Sequence, residues 1–64
     1  MGSVAINRAD NMGNFIVEGY TSEFKNYDLL VNEIGSYKGT VRVSSNVRCF
    51  AVTAPTGSSW EFDF

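Results

Sequence analysis

The acidic side chains are the first candidates for chemistry. Asp28 and Glu33 lie close together in the sequence, and two carboxylates that converge can act as a general acid and a general base. The sequence gives no sign that these two converge, and neither has an evident partner. We therefore expect structural roles for both, in which Asp28 opens a strand and Glu33 closes the adjoining loop through backbone hydrogen bonds.

A metal site is the second possibility, because residues 10–14 place several side-chain oxygens around Gly13. A calcium loop of the EF-hand type needs acidic groups at alternate positions and a distal bidentate glutamate, and this run has neither. Asn and Gly together favour a tight hairpin turn. The prediction is therefore a hairpin turn here, with no metal and no cofactor bound by the chain.

Nucleophilic catalysis lacks its usual base, since the chain contains no histidine. Cys49 stands within an apolar run between Arg48 and Phe50, where a buried structural thiol is expected. The serine pairs at 44–45 and 58–59 lie in turns without the Gly-x-Ser-x-Gly elbow. The sequence thus predicts no catalytic residue, and we expect that the protein is not an enzyme.

Aromatic side chains are the remaining functional signal. Four of them fall at predicted strand ends or in loops, where a ring can bind a sugar face or a groove of another protein; they are Tyr20, Phe24, Tyr27 and Tyr37. The alternative for Tyr27 and Tyr37 is packing at a sheet edge with the hydroxyl in water. The other aromatic residues are predicted to form the core, and these are Phe15, Phe50, Trp60, Phe62 and Phe64.

Alternating side chains indicate the elements that position these residues. Period two is clearest at residues 60–64, where three aromatic residues alternate with two carboxylates. Residues 48–54 are mostly apolar on both sides, which predicts a central strand. A helix over 23–34 is the alternative for one segment, but Asn26 and Asp28 disfavour it. The other strands are predicted at 3–7, 14–20, 28–32 and 41–43.

The pattern predicts a single all-β domain spanning residues 1–64. About six short strands joined by short loops form a meander that folds into a small antiparallel β-sandwich, a partial jelly roll or a small barrel. Gly35 is expected to adopt a positive φ. Together with Asn32 and Glu33 it is predicted to form a corner where the chain passes from one sheet to the other.

Length and charge limit the partners. A chain of 64 residues buries only roughly 60% of its unfolded surface, so its core is marginal, and a single cysteine cannot form an internal disulfide. We therefore expect a homo-oligomer, with a dimer favoured, or membership of a larger protein. The net charge is −2 and the basic residues are scattered, so no nucleic-acid partner is expected.

The compartment is predicted only conditionally. No apolar stretch approaches the roughly 20 residues of a membrane span, so no membrane insertion is expected. The first residues turn polar too soon for a signal peptide. As written, the chain is predicted to be cytoplasmic; if it is excised from a longer secreted or membrane-anchored precursor, it would be extracytoplasmic.

Four segments in a fixed order carry a family resemblance. They are GNFIV at 13–17, DLLVNEIGSYKGTV at 28–41, a strand ending in a small residue at 50–54, and the closing WEFDF at 60–64. The chain resembles a small bacterial β-domain of unknown function, often secreted or membrane-anchored, and is similar in pattern to the jelly-roll-like modules that accompany secreted peptidases. The resemblance implies a β-sandwich without catalytic residues.

Two departures from that family bear on the fold. The family domain is longer at its N-terminus, which makes this chain a shortened version that another chain could complete. Residues 55–59, PTGSS, replace the usual acidic-Gly turn. The functional prediction is a non-catalytic interaction module that recognises a protein or glycan through a sheet face or loop aromatics. The alternatives are a self-assembling structural domain and a small inhibitor encoded by a phage or mobile element.

Overall fold

The computed structural model describes residues 2–23 and 26–64, and within these ranges every regular element is a β-strand. The all-β prediction is confirmed, and the segment for which a helix was the alternative contains a strand. In chain order the strands are β1 (Ser3–Arg8), β2 (Asn14–Thr21), β3 (Tyr27–Ile34), β4 (Tyr37–Arg42), β5 (Val47–Thr53) and β6 (Glu61–Asp63).

The strands form two antiparallel sheets that pack together as a sandwich. Sheet A has the order β4-β1-β6, and sheet B has the order β3-β2-β5. The prediction of a hairpin turn at 10–14 is wrong, because this segment carries the chain from sheet A to sheet B. The prediction that residues 48–54 form a central strand is also wrong. That segment lies in β5, at an edge of sheet B, and the central strands are β1 and β2.

The core lies between the inner faces of the two sheets. Alternate residues of the two central strands point inward, which gives β1 and β2 their regular burial patterns. Each fully buried apolar side chain contributes roughly 1.5–3 kcal/mol relative to exposure, so a few such residues supply most of the driving force. The buried apolar residues are Val4, Ile6, Phe15, Val17, Val31, Val43 and Val47.

Two of the five predicted core aromatics are exposed. Phe15 is fully buried as predicted, and Phe50 and Phe62 are half-buried against the core. Trp60 is 40% exposed and Phe64 is 71% exposed, so the core prediction is wrong for both. The reason is that the paired part of the last strand, β6, is only Glu61–Asp63. Trp60 and Phe64 flank it, and neither is paired with β1.

Asn32 and Glu33, which were predicted to share the sheet-switching corner, lie within β3 instead and pair with β2. The corner itself is confirmed at Gly35, whose φ is 100°. It joins β3 of sheet B to β4 of sheet A, and its N–H donates to the carbonyl of Gly13 at 3.0 Å. The strands on either side are longer than the sequence predicted. In particular, β4 begins at Tyr37, whereas the sequence predicted this strand only at 41–43.

A buried arginine holds one end of the sandwich together. Arg8 closes β1 on its inward-facing side and is 0% exposed. Its Nη1 donates to the carbonyls of Gly13 (2.6 Å) and Gly35 (3.0 Å), and its Nε donates to the Ser58 hydroxyl at 3.0 Å. The guanidinium also lies 5.3 Å from the centroid of the Phe15 ring. One side chain thereby ties together the three connections at this end, β1–β2, β3–β4 and β5–β6.

Asp10 completes this arrangement. Its Oδ1 lies 3.0 Å from Nη2 of Arg8 in an ion pair, and the same nitrogen has no aligned hydrogen bond. The carboxylate accepts hydrogen bonds from the backbone N–H of Ser59 and Met12 and from the Ser58 hydroxyl. These bonds, the one from Ser59 foremost, outweigh desolvation and, with the charge of Arg8, lower the pKa of Asp10 from 3.8 to about 2.

Candidate functional site

Two of the four predicted partner-binding aromatics lie together. Tyr20 of β2 pairs directly with Tyr27 of β3, so both side chains point to the same side of sheet B. Their rings stack with centroids 5.3 Å apart and an interplanar angle of 29°. Tyr27 is 54% exposed, and this pair therefore places an aromatic surface on the outside of the molecule.

The other two predicted residues do not join them. Tyr37 is half-buried and packs against the core, with its ring centroid 6.4 Å from that of Phe15. It lies over Gly39, where a Cβ atom would come within 2.8 Å of the Tyr37 hydroxyl oxygen. Phe24 lies outside the described residues. The stacked tyrosines are thus the part of the predicted set that shares one surface.

The stacked tyrosines belong to a larger apolar surface, the outer face of sheet B. The register of β2 with β3 and β5 defines this face, because cross-strand partners project to the same side. On β3, Leu29 is 54% exposed and Ile34 is 82% exposed. The face comprises Asn14, Ile16, Glu18 and Tyr20 of β2, Tyr27, Leu29, Asn32 and Ile34 of β3, and Cys49, Ala51 and Thr53 of β5.

The outer face of sheet A has the opposite character. Its cross-strand partners include two cations of β4, Lys38 and Arg42, and two carboxylates of β6, Glu61 and Asp63. The other outward residues are Ser3, Ala5, Asn7 and Thr40. Water solvates such a face well, whereas the outer face of sheet B leaves large apolar side chains in water. The two surfaces of this sandwich are therefore chemically distinct.

Glu18 is the charged residue on the outer face of sheet B, and it lies beside Tyr20. The Tyr20 hydroxyl donates to Oε1 of Glu18 at 3.4 Å. Desolvation first, and then the negative charge of Glu18 and this hydrogen bond, raise the pKa of Tyr20 above 10.0. Tyr20 is consequently neutral at physiological pH and acts on this face as an apolar ring with a hydrogen-bonded hydroxyl.

The carboxylates considered for acid–base chemistry do not meet. Asp28 and Glu33 lie near opposite ends of β3, and a strand rises about 3.3 Å per residue, which separates them by roughly 16 Å. Asp28 pairs with Gly19 and Glu33 pairs with Phe15. No group of three or more His, Cys, Asp or Glu side chains suited to a metal ion occurs among residues 2–23 and 26–64.

Cys49 was predicted to be a buried thiol, and it is half-buried instead. It pairs with Tyr20 and so belongs to the outer face of sheet B. The apolar character on both sides of β5 was interpreted as a sign of a central strand. In the structure it reflects an edge strand with one side in the core and the other on this exposed apolar face.

The apolar residues of this face are the ones that sequence analysis missed. Ile16 and Leu29 were assigned only to strands, and Ile34 was left outside the strand predicted at 28–32, a segment with apolar residues on both of its sides. A strand of that kind is expected to be covered on both faces. The apolar residues on both sides of this segment could therefore have indicated the face. The sequence does not show, however, which of the two sides another sheet covers.

In the described part of the chain, cavities open at both ends of the sandwich. One, of about 200 Å³, lies at the end away from Arg8. It is lined by Gly19, Val47 and Tyr27 and by polar residues of the neighbouring strands and loops. The other, of about 250 Å³, is lined by Asn7, Ala9, Ser59, Trp60 and Glu61. Both lie outside the strongly apolar part of the sheet B face around Leu29 and Ile34.

Comparisons of the chain with family models, with curated proteins and with solved structures find no match. The family resemblance described above therefore stays a prediction. In the described part of the chain, no helix is long and apolar enough to span a membrane.

Proposed function

We propose that this domain is a non-catalytic interaction module that binds another protein through the outer face of sheet B. The observation that carries the proposal is the contrast between the two sheets, one charged and polar outside and the other apolar. Contiguous exposed apolar patches are uncommon on monomeric proteins and mark interaction surfaces. Leu29, Ile34 and the Tyr20–Tyr27 stack supply large side chains that a partner would remove from water.

The shape of this surface favours a macromolecule over a small ligand. Sites for small molecules are concave, whereas this face is the outside of a three-stranded sheet. Rigid aromatic rings contribute large contact areas at little cost in conformational entropy. A protein with an apolar patch of its own is the partner that such a face fits best, and a polar rim from Asn14, Asn32 and Thr53 would supply hydrogen bonds.

Self-association is the second candidate, and the position of β3 favours it. This strand is an edge of sheet B, and its outward side carries Tyr27, Leu29 and Ile34. Two copies related by a two-fold axis would cover each other's apolar faces with identical residues. Such a dimer would also compensate for a core that is small for an independent domain.

A double variant, Leu29→Thr with Ile34→Thr, tests both candidates. Threonine has the β-branched shape that strands favour but removes most of the apolar contact. The matched control is Met12→Thr with Phe64→Thr, which removes two exposed apolar side chains elsewhere. Both variants should remain folded by circular dichroism.

The readouts are sedimentation velocity of the protein at increasing concentration and quantitative capture of proteins on the immobilised domain. A wild-type dimer that the Leu29/Ile34 variant abolishes and the control preserves would establish self-association. A protein whose capture requires Leu29 and Ile34 should bind the purified domain with a negative heat-capacity change, since apolar surface is buried. Identical behaviour of wild type and Leu29/Ile34 variant in both assays would contradict the proposal.

A further inference from the structure

The cavity beside Trp60 has a different chemistry from the sheet B face. Trp60 is 40% exposed, while its ring lies against buried Phe15 with centroids 6.2 Å apart. An indole supported in this way by the core keeps part of its surface open to the cavity. Asn7 and Glu61 line the same cavity. They are direct cross-strand partners on β1 and β6, so an amide and a carboxylate stand side by side on the outer face of sheet A where it borders this cavity.

The segment that presents Trp60 is held in place by the buried cluster at this end of the sandwich. The N–H of Ser59 donates to Asp10 Oδ2 at 3.0 Å, and the Ser58 hydroxyl is held by both Asp10 and Arg8. The buried Arg8 and its ion-pair partner Asp10 therefore fix the two residues that precede Trp60. Binding sites gain affinity when their groups are ordered before the ligand arrives.

We infer that this cavity binds a single neutral hexopyranose unit of a glycan. The apolar C–H face of a sugar ring stacks on an indole, and Glu61 and Asn7 offer the acceptors and donors that neighbouring sugar hydroxyls need. The lining contains a carboxylate and no cationic side chain, which disfavours acidic sugars. The volume of about 250 Å³ falls below the roughly 300–1,000 Å³ of pockets for drug-sized ligands, as expected for one ring.

This inference goes beyond the proposed protein-binding function and is independent of it, since Trp60, Asn7 and Glu61 lie outside the sheet B face. An open site of this size should be weak. A ligand of about twelve non-hydrogen atoms with the binding efficiency of larger ligands has a Kd on the order of 1 mM. Affinity in a natural setting would then come from repeated sugar units or from several copies of the domain.

Intrinsic fluorescence is a direct test, because Trp60 is the one tryptophan in the sequence. The purified chain is titrated with D-glucose, D-galactose, D-mannose and N-acetylglucosamine up to about 100 mM, with sorbitol as an acyclic polyol control. We expect at least one hexose to change the emission saturably, with a Kd of about 1–10 mM, and sorbitol to give no saturable change. A folded protein with no saturable response to any of the four sugars would overturn the inference.

Variants locate the site. Glu61→Gln should raise the Kd of the sugar that binds wild type by about 5- to 10-fold, because a charge-assisted hydrogen bond becomes a neutral one. Asp63→Asn is the matched control, since Asp63 lies two residues along the same strand and on the same face, and it should bind as wild type. The Leu29/Ile34 variant should also bind the sugar as wild type. Equal affinities of Glu61→Gln and wild type would show that the sugar binds elsewhere.

Discussion

At the scale of single residues, the buried side chain of Arg8 joins three connections at one end of the sandwich. A buried guanidinium is costly unless its donors are paired, and here the backbone carbonyls of Gly13 and Gly35, the Ser58 hydroxyl and the Asp10 carboxylate serve as partners. The alternation Val4, Ile6, Arg8 along β1 puts it on the core-facing side. That spacing is the sequence signal for the burial of Arg8. Because arginine is exposed in most proteins, the spacing alone does not lead to a prediction of burial.

The first prediction concerns Arg8 itself. Arg8→Met keeps an apolar stem in the core but leaves two carbonyls and Asp10 without their partner. We expect a loss of about 2–4 kcal/mol in the free energy of unfolding, measured by urea denaturation. Arg42→Met, at an exposed position on the outer face of sheet A, is the control and should change stability by less than about 0.5 kcal/mol. Equal effects of the two changes would show that the buried cluster contributes nothing.

The second prediction concerns acid. The pKa of Asp10 is about 2 in the folded protein against 3.8 for an unperturbed aspartate. Between these values the unfolded chain binds the proton more readily, so stability contributed by Asp10 is complete above pH 3.8 and is lost as the pH falls through about 2.

Urea denaturation at several pH values between about 2 and 5 measures this dependence. Asp10→Asn, which cannot titrate, should show a shallower loss of stability across that window than wild type. Asp63→Asn, which removes one carboxylate from the exposed outer face of sheet A, is the matched control for the change in net charge. Parallel curves for wild type and Asp10→Asn would contradict the assigned role.

At the scale of the elements, each strand follows from local alternation, while its place in a sheet follows from the connections. Gly35 shows how a connection decides this. Its positive φ turns the chain from β3 in sheet B to β4 in sheet A, and its N–H and carbonyl are both used, by Gly13 and Arg8. The sequence predicted this corner because glycine adopts a positive φ without steric cost.

The third prediction is therefore made at this corner. Gly35→Ala forces a side chain into the left-handed region and should cost about 1–2 kcal/mol in the free energy of unfolding. The matched control is Gly2→Ala, because a Cβ at Gly2 meets no atom within 4 Å and its φ is not positive. Thermal and urea unfolding of the two variants measure the difference. A loss for Gly2→Ala as large as that for Gly35→Ala would mean that the backbone conformation is not responsible.

At the scale of the whole molecule, two thin sheets share one core and have unlike outer surfaces. Sheet A presents charges to water, and sheet B presents an apolar face. Neither sheet has a core of its own, since the buried residues come from both. The sandwich should therefore unfold as one unit with low stability, near or below the roughly 5 kcal/mol at the lower end of the range for domains.

The fourth prediction follows from this shared core. Trp60 precedes β6 of sheet A and its ring contacts Phe15 of sheet B, so its fluorescence reports the contact between the sheets. Far-ultraviolet circular dichroism reports the strands themselves. The two signals should give coincident urea transitions for wild type, as two-state unfolding requires. Loss of the fluorescence signal at a lower urea concentration than the dichroism would show that the sheets separate first.

The sequence determined the fold class, most strand positions and the corner at Gly35, because alternation and glycine conformation are local properties of the chain. Tertiary structure decided which strands are central, that Arg8 is buried, and that Trp60 and Phe64 are exposed. It also decided that Ile16, Leu29 and Ile34 lie on the same outer face of sheet B. The physical reason is that a strand with apolar residues on both sides has the same sequence pattern at a sheet edge as at its centre, and only the neighbouring strands decide which apolar side remains in water.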